Sequence, residues 1–334
     1  MASEQNNDTI FAIATPPGTG GVGVIRISGP EVPSIAQQVT GSVPKPRFAT
    51  FTEFKSDEET IDSGLALYFP APSSFTGEDV LELQGHGGPV VLQRLSQVLM
   101  NLGVRPARPG EFSERAFLND KMDLAQAEAI ADLVESGTVA AARAAQRSLE
   151  GVFSSRVNEV QAELTALRVF IEAALDFPEE EIDFIAESDT LERLENVRSQ
   201  TRKLLDDAHQ GQLLRDGITI AIIGLPNAGK SSLLNALSGT DSAIVTDIPG
   251  TTRDVLRERI SINGVPVHIA DTAGIRESSD QVEAEGISRA RAAMETSDLA
   301  LVVHDLAGEA GGEETLLREL PEGVPVIHVW NKRD

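Results

Sequence analysis

Apolar and polar positions along the chain follow three different rhythms. Over residues 1–118 the apolar residues come in short β-branched or alternating runs: Thr9–Ala14, Val22–Ser28, Ala49–Phe54, Leu65–Phe69 and Val80–Gln84. Runs of this length and composition predict strands. Thr15–Gly21 is too rich in Gly and Pro for a regular element and predicts a turn. Val90, Val91, Leu95, Val98, Leu99 and Leu102 recur at helical spacing, so the segment reads as a compact α+β domain.

From residue 119 to 210 the rhythm becomes helical. Leu124, Ala127, Ala131 and Val134 predict one helix, broken by Gly137. Leu149, Phe153, Val157, Val160, Leu164, Leu167, Ile171 and Ala174 predict a single long stripe, ended by Pro178 and an acidic run. Asp189 and Glu192 form a capping pair for a third helix carrying Leu191, Leu194, Leu204 and Leu205. The long stripe reads as the core of a helix bundle with too few helices beside it, so its partners are expected from another stretch or another chain. From 211 to 334 strand-like runs return, at Ile218–Ile223, Val265–Ala270 and Val324–Val329. The expected architecture is multidomain α/β: an α+β domain over 1–118, the first half of a helical domain over 119–210, and a nucleotide domain over 211–334.

The third segment carries the chemistry. Ile218–Ile223 runs into Gly224-Leu-Pro-Asn-Ala-Gly-Lys-Ser231, a G-x-x-x-x-G-K-S phosphate loop, and a helical stretch leaves it. In that setting glycines let backbone N–H groups converge on phosphate oxygens, and the helix N-terminus adds partial positive charge. The contacts fall to Asn227, Ala228, Gly229, Lys230, Ser231 and Ser232. Lys230 reaches the outer phosphates and the Ser231 hydroxyl ligates Mg²⁺. Thr246, Asp247, Ile248, Pro249, Gly250, Thr251 and Thr252 form a loop with hydroxyls available to Mg²⁺, of the kind a terminal phosphate orders. Asp271, Thr272, Ala273 and Gly274 follow an apolar strand; the carboxylate orients Mg²⁺ through water and the Gly N–H meets the terminal phosphate. Asn331-Lys332-Arg333-Asp334 closes the set, because the Asp334 carboxylate accepts two N–H groups that guanine offers and adenine lacks. Four motifs in this order define a GTPase.

One part is replaced. Many GTPases place a Gln after the D-x-x-G motif to orient the attacking water. Here the position is Ile275, so another group must serve, and Glu283 is a nearby carboxylate. Transition-state charge then calls for a cation: Arg253, Arg276 or a bound monovalent ion. In the first segment, Arg26 and Glu82 interrupt apolar strands. Alternation alone favours a wet-face position for both. Gln84–Gly88, with His86, reads as a ligand loop or a plain turn.

Charge and composition narrow the partners. The net charge is −24, and residues 119–210 hold −11 of it. A broad counterion-releasing surface for nucleic acid is excluded, so any RNA contact needs a local patch or a partner's positive charge. There is no cysteine, which excludes disulfides and suits a reducing cytoplasm. No apolar run is long enough to span a membrane. The chain stops at Asp334, where a complete nucleotide domain would add a strand, a base-contacting loop and a helix, so a C-terminally incomplete domain is expected.

Three stretches carry a resemblance: Ala14-Thr-Pro-Pro-Gly18 with Gly20–Gly23 and Arg26–Gly29; Thr76–Gly88; and Asn119–Ile130. With the phosphate loop, Thr251–Asp254 and Asp271–Gly274, they make the chain resemble the MnmE (TrmE) family of tRNA-modification GTPases along essentially its whole length. The resemblance implies a homodimer whose first domain binds a formyl-tetrahydrofolate-type one-carbon donor, with Arg26, Glu82 and Lys121 at the matching positions. It implies K⁺ at Asn227, Thr246, Ile248 and Thr251, Mg²⁺ at Ser231 and Thr252, and Glu283 as the catalytic carboxylate. It also implies work with the FAD-dependent partner MnmG on the wobble uridine of certain tRNAs. Thr19 stands where an Arg is expected in the Gly-rich loop. A GTP-switched RNA or ribosome assembly factor without modification chemistry is the alternative, and a folate-binding dimer with an inactive GTPase fragment is a third reading.

Overall fold

The computed structural model describes residues 8–56, 59–176, 190–224, 228–238, 257–271, 297–306 and 323–333. It divides into two units, Met1–Glu128 and Ala129–Asp334.

The first unit is a six-stranded sheet with helices on one face. Its strands are β1 (Ile10–Ile13), β2 (Gly20–Ser28), β3 (Thr50–Lys55), β4 (Thr60–Phe69), β5 (Val80–Gly87) and β6 (Arg105–Pro106), in the order β3-β4-β5-β2-β1-β6. All pairs are antiparallel except β1 with β6. Alternation decides the faces. Ile25, Ile27, Leu81 and Leu83 point to the core, where they meet Val32, Ile35 and Val39 of α1 (Val32–Thr40) and Leu92, Leu95 and Leu99 of α2 (Pro89–Asn101). Truncating one such leucine to alanine costs about 2–5 kcal/mol. The intervening residues, Arg26, Glu82 and Gln84 among them, belong to the other face. α1 was not evident from the pattern: its nine residues include two Gln, a Ser, a Thr and Pro33. α3 (Glu111–Leu118) follows β6, and α4 (Leu124–Glu135) begins in this unit.

Two expectations change here. β2 begins at Gly20, inside the predicted turn, and its register with β5 shifts between Gly20 and Gly23. The glycine-rich stretch after Glu82 is neither loop nor turn, because β5 runs through to Gly87.

In the second unit, α5 (Val139–Leu149), α6 (Val152–Asp176) and α7 (Thr190–Asp216) precede a second sheet. Thr138 caps α5, accepting from the Ala141 N–H at 3.1 Å. α6 and α7 run antiparallel, since Arg156 pairs with Asp207 and Glu163 with Gln200. The predicted single stripe is divided: Leu149 ends α5, Gly151 turns the chain at φ 82°, and the stripe resumes at Phe153 on α6. Along it Leu167 is buried, whereas Leu164 is 51% exposed. Pro178 and Asp189 lie outside the described residues.

The second sheet has the order β11-β10-β7-β9-β8, from β7 (Ile218–Ile223), β8 (Arg257–Ile262), β9 (Val265–Asp271), β10 (Leu299–Asp305) and β11 (Val326–Asn331). β11, β10, β7 and β9 are parallel, and β8 is antiparallel to β9. The central strands β7 and β10 are apolar and buried on both faces, with Ile220, Ile222 and Val303 in one cluster and Ala221, Ile223, Ala300 and Val302 in another, whereas β11 is largely exposed. α8 (Lys230–Ser238) packs Leu234 against Ile220, Ile222 and Val303. Among the described residues no helix is long and apolar enough to cross a membrane.

Candidate functional site

Parallel strands deliver the chain at their carboxyl ends, where an open α/β sheet binds its ligands. β7 ends into Gly224, β9 ends at Asp271, which pairs with Ile222, and β11 ends at Asn331, which pairs with Asp305 of β10. Four strand ends therefore bring the phosphate loop, the Asp271 motif and the guanine motif to one edge.

The loop itself is tightly fitted. Gly229 has φ +97°, and a Cβ there would overlap the amide nitrogen of Asn331. That amide donates to the Ala228 carbonyl at 2.9 Å, which ties the guanine motif to the phosphate loop. A Cβ at Gly224 would lie 2.6 Å from the Val303 carbonyl oxygen. The Leu233 N–H donates to the Gly229 carbonyl at 3.0 Å and opens α8. The Lys230 ammonium donates to the Gly224 carbonyl at 2.7 Å, folded back over its own loop. Ser231 and Ser232 are exposed in the first turn of α8. Lys332 is in the left-handed region at φ 59°, and its ammonium pairs with Asp305 at 2.7 Å.

Ala228, Gly229, Lys230, Ser231, Ser232, Asn331 and Lys332 are thus gathered, with the Asp271 backbone beside them. Asn227, Thr246, Asp247, Ile248, Pro249, Gly250, Thr251, Thr252, Thr272, Ala273, Gly274, Ile275, Glu283 and Asp334 lie outside the described residues, as do Arg253 and Arg276.

A second cluster lies in the first unit. Arg26 and Glu82 are register partners on β2 and β5. The Arg26 guanidinium donates to Glu82 Oε1 through Nε at 2.9 Å, and its Nη2 is in ion-pair contact with the same oxygen at 2.7 Å. Their side chains are 33% and 15% exposed, so these are half-buried paired charges and not the solvated wet-face charges that alternation alone favours. Phe75 lies against the guanidinium, its centroid 5.5 Å from Cζ. Phe75 sits on the loop 70–79, and the same loop receives Lys121, whose ammonium donates to the Pro72 carbonyl at 2.9 Å. Asn119 fixes that junction by donating to the Thr76 carbonyl at 2.7 Å. One loop therefore touches both Arg26 and Lys121.

Sequence reasoning missed Phe75, and it set Gln84 in a ligand loop or turn rather than on the strand beside Glu82. The Gln84 amide donates to Glu82 Oε2 at 3.2 Å. Its place two residues after Glu82 on a strand was the available signal. Nearby, His86 donates its backbone N–H to Asp62 at 2.7 Å and its ring meets the same carboxylate at 2.7 Å. Burial alone would raise the Asp62 pKa, but the hydrogen bonds from His86 and Ser63 outweigh it and hold the carboxyl below its ordinary range. Thr19, where an Arg was expected, is exposed in the turn between β1 and β2.

A parallel sheet with a phosphate loop and a guanine motif at one edge defines a P-loop GTPase, here preceded by an α+β domain and helices. The family model described as "GTP-binding protein TrmE N-terminus" matches residues 9–121, and that described as "MnmE helical domain" matches residues 124–321. A tRNA modification GTPase MnmE from Pseudomonas syringae pv. tomato is 56% identical over 333 residues, covering 98% of this chain and 73% of that protein. The protein of the same name from Hydrogenovibrio crunogenus is 55% identical over 99% of this chain and 74% of its own. The chain belongs to the MnmE family of tRNA modification GTPases. Among solved structures, it is similar to Aquifex aeolicus Era bound to GDP·AlF4⁻, with 30% identity over 35% of this chain and 41% of that one, at a TM-score of 0.27.

Proposed function

We propose that this chain is a potassium-stimulated GTPase that acts with the FAD-dependent partner MnmG to place a carboxymethylaminomethyl-type group on the wobble uridine of certain tRNAs. The observation that carries the reading is the phosphate loop tied to the guanine motif through Asn331 and Ala228, in a chain of this family. Residues 1–118 form the dimerising, folate-binding domain, 119–210 the first part of the helical domain, and 211–334 the GTPase domain. The chain works in the cytoplasm.

Lys230 meets the outer phosphates, and the backbone N–H groups around Gly229 line the anion site. The exposed Ser231 hydroxyl, next to Lys230 at the start of α8, suits Mg²⁺, with Thr252 as its companion. Asn227, Thr246, Ile248 and Thr251 would hold K⁺, which supplies the positive charge that an arginine finger supplies elsewhere. Glu283 acts on the attacking water. Arg26, Glu82 and Lys121 bind the formyl-tetrahydrofolate-type donor. The half-buried Arg26–Glu82 pair supports this, offering a donor and an acceptor side by side. A chain of net charge −24 meets tRNA with its partner's help.

GTP turnover measured in KCl and NaCl at equal ionic strength tests the central point. Faster turnover in KCl is expected, and equal rates remove the cation mechanism. Calorimetry with 5-formyltetrahydrofolate separates the alternative: binding that Arg26→Ala weakens supports modification chemistry, and no heat favours an assembly factor.

A further inference from the structure

Glu82 is held from two sides. Oε1 accepts from Arg26 Nε at 2.9 Å, with Nη2 in ion-pair contact at 2.7 Å, while Oε2 accepts from the Gln84 amide at 3.2 Å. A carboxylate oxygen accepts about two hydrogen bonds; Oε1 lies against the guanidinium, and Oε2, on the side of Gln84, keeps one open position. The Arg26 guanidinium has further N–H groups beyond the two that reach Glu82. An open acceptor then stands beside a cationic donor. That couple is complementary to the edge of a cyclic amide, whose ring N–H donates and whose carbonyl accepts. Without Gln84 the Glu82 carboxylate could turn about its last torsion, which is broad and roughly two-fold, and the open position would no longer be fixed.

We propose that Gln84 is a positioning residue of the ligand site: it orients Glu82 so that the Arg26–Glu82 couple reads the N–H/C=O edge of a 4-oxo-pyrimidine ring, the head group of a reduced folate. The inference rests on the folate reading above and adds the ring edge that is recognised and the residue that fixes it. Phe75 holds the guanidinium from its face, so both members of the couple are braced.

The test is calorimetry on the 334-residue chain with 5-formyltetrahydrofolate and with its 4-amino counterpart, whose ring edge has donor and acceptor exchanged. Wild type, Gln84→Met, Glu82→Gln and the double variant are compared. Because immobilising one side chain changes affinity by about two- to twelvefold, Gln84→Met is expected to weaken the 4-oxo ligand by that factor and to leave the 4-amino ligand unchanged. On the Glu82→Gln background it should add nothing, because Gln84 acts through Glu82. Gln84→Glu, which keeps the shape and loses the donor, should behave like Gln84→Met or worse, and it serves if Gln84→Met fails to fold. Undiminished affinity, equal losses on both ligands or additive losses would overturn the inference while the folate reading stands. No heat from wild type with either ligand would instead sink the folate reading and this inference with it.

Discussion

Replacing Glu111 with Gln is expected to destabilise the first unit by about 3 kcal/mol at neutral pH and to flatten its acid sensitivity. Glu111 opens α3 and is 1% exposed. It accepts from Arg105 at 3.0 and 2.7 Å, from Arg115 at 3.3 Å and from the Arg108 N–H at 2.7 Å. The Arg105 hydrogen bonds are the largest cause of its low pKa; burial opposes them and the Arg108 N–H assists, leaving the carboxyl at about 2 against its ordinary 4.5. A fall of that size on folding contributes about 3 kcal/mol once the unfolded carboxyl is ionised. The contribution is full above about pH 4.5 and is lost as the pH falls toward about 2. Gln keeps the shape and one acceptor but removes the charge that Arg105 and Arg115 face, and removing one member of a buried pair costs about 3–5 kcal/mol. The chain has one Tyr and one Trp, Tyr68 in the first unit and Trp330 in the second, so each unit reports its own denaturant transition. The Tyr68 transition of Glu111→Gln should move to lower urea while the Trp330 transition stays. The gap between wild type and variant should close between pH 5 and 2.5. A Tyr68 midpoint equal to wild type at pH 7, or a gap that does not narrow in acid, would refute the reasoning.

Two further variants probe close approaches. Gly229→Ala forces a Cβ into the Asn331 amide at φ +97°, so GTP affinity by fluorescent-nucleotide titration should fall by about five- to 150-fold, a strain of about 1–3 kcal/mol being the scale at such positions. Unchanged affinity would mean that Asn331 moves freely away from the loop. Gly85→Ala drives a Cβ against the Asp62 carboxylate and 3.2 Å from the Phe54 ring, both on the packed side of the sheet. A loss of about 1–3 kcal/mol is expected in the Tyr68 transition, and a smaller change would show that Asp62 can yield without losing His86.

Legibility differed between the sites for physical reasons. The phosphate loop and guanine motif are local in sequence, and their strand contexts are apolar runs that the sheet then used, so Gly229, Lys230 and Asn331 were readable one by one. The Arg26–Glu82 pair was not, because a charge on a strand looks the same whether it faces water or a partner 56 residues away. Only the resemblance raised it, and the register of β2 with β5 then supplied the reason. The break at Gly151 escaped because α6 resumes with the apolar spacing almost in step with Leu149, so periodicity ran across a real chain turn. β10 is a short continuous apolar run, which spacing alone cannot tell from a buried helical segment.

The loop 70–79 joins the two parts of the first unit that matter most. At one end Asp79 accepts from the Tyr68 hydroxyl at 3.0 Å and the Ala71 N–H at 2.9 Å, and Glu78 accepts from Ser28 at 2.7 Å and from Arg115 at 3.2 Å. The Glu78–Arg115 contact attaches the loop to the Arg115–Glu111–Arg105 network. In its middle the loop presents Phe75 to Arg26 and Pro72 to Lys121. The network therefore braces the segment that touches Arg26 and Lys121, the residues proposed above to bind a folate, without itself reaching either side chain. Glu111→Gln removes charge from one anchor at neutral pH and leaves both members of the Arg26–Glu82 pair in place. On the folate reading proposed above, Glu111→Gln should weaken folate affinity at neutral pH through a loosened loop, and unchanged affinity by calorimetry would show that the loop holds Phe75 and Pro72 without the network.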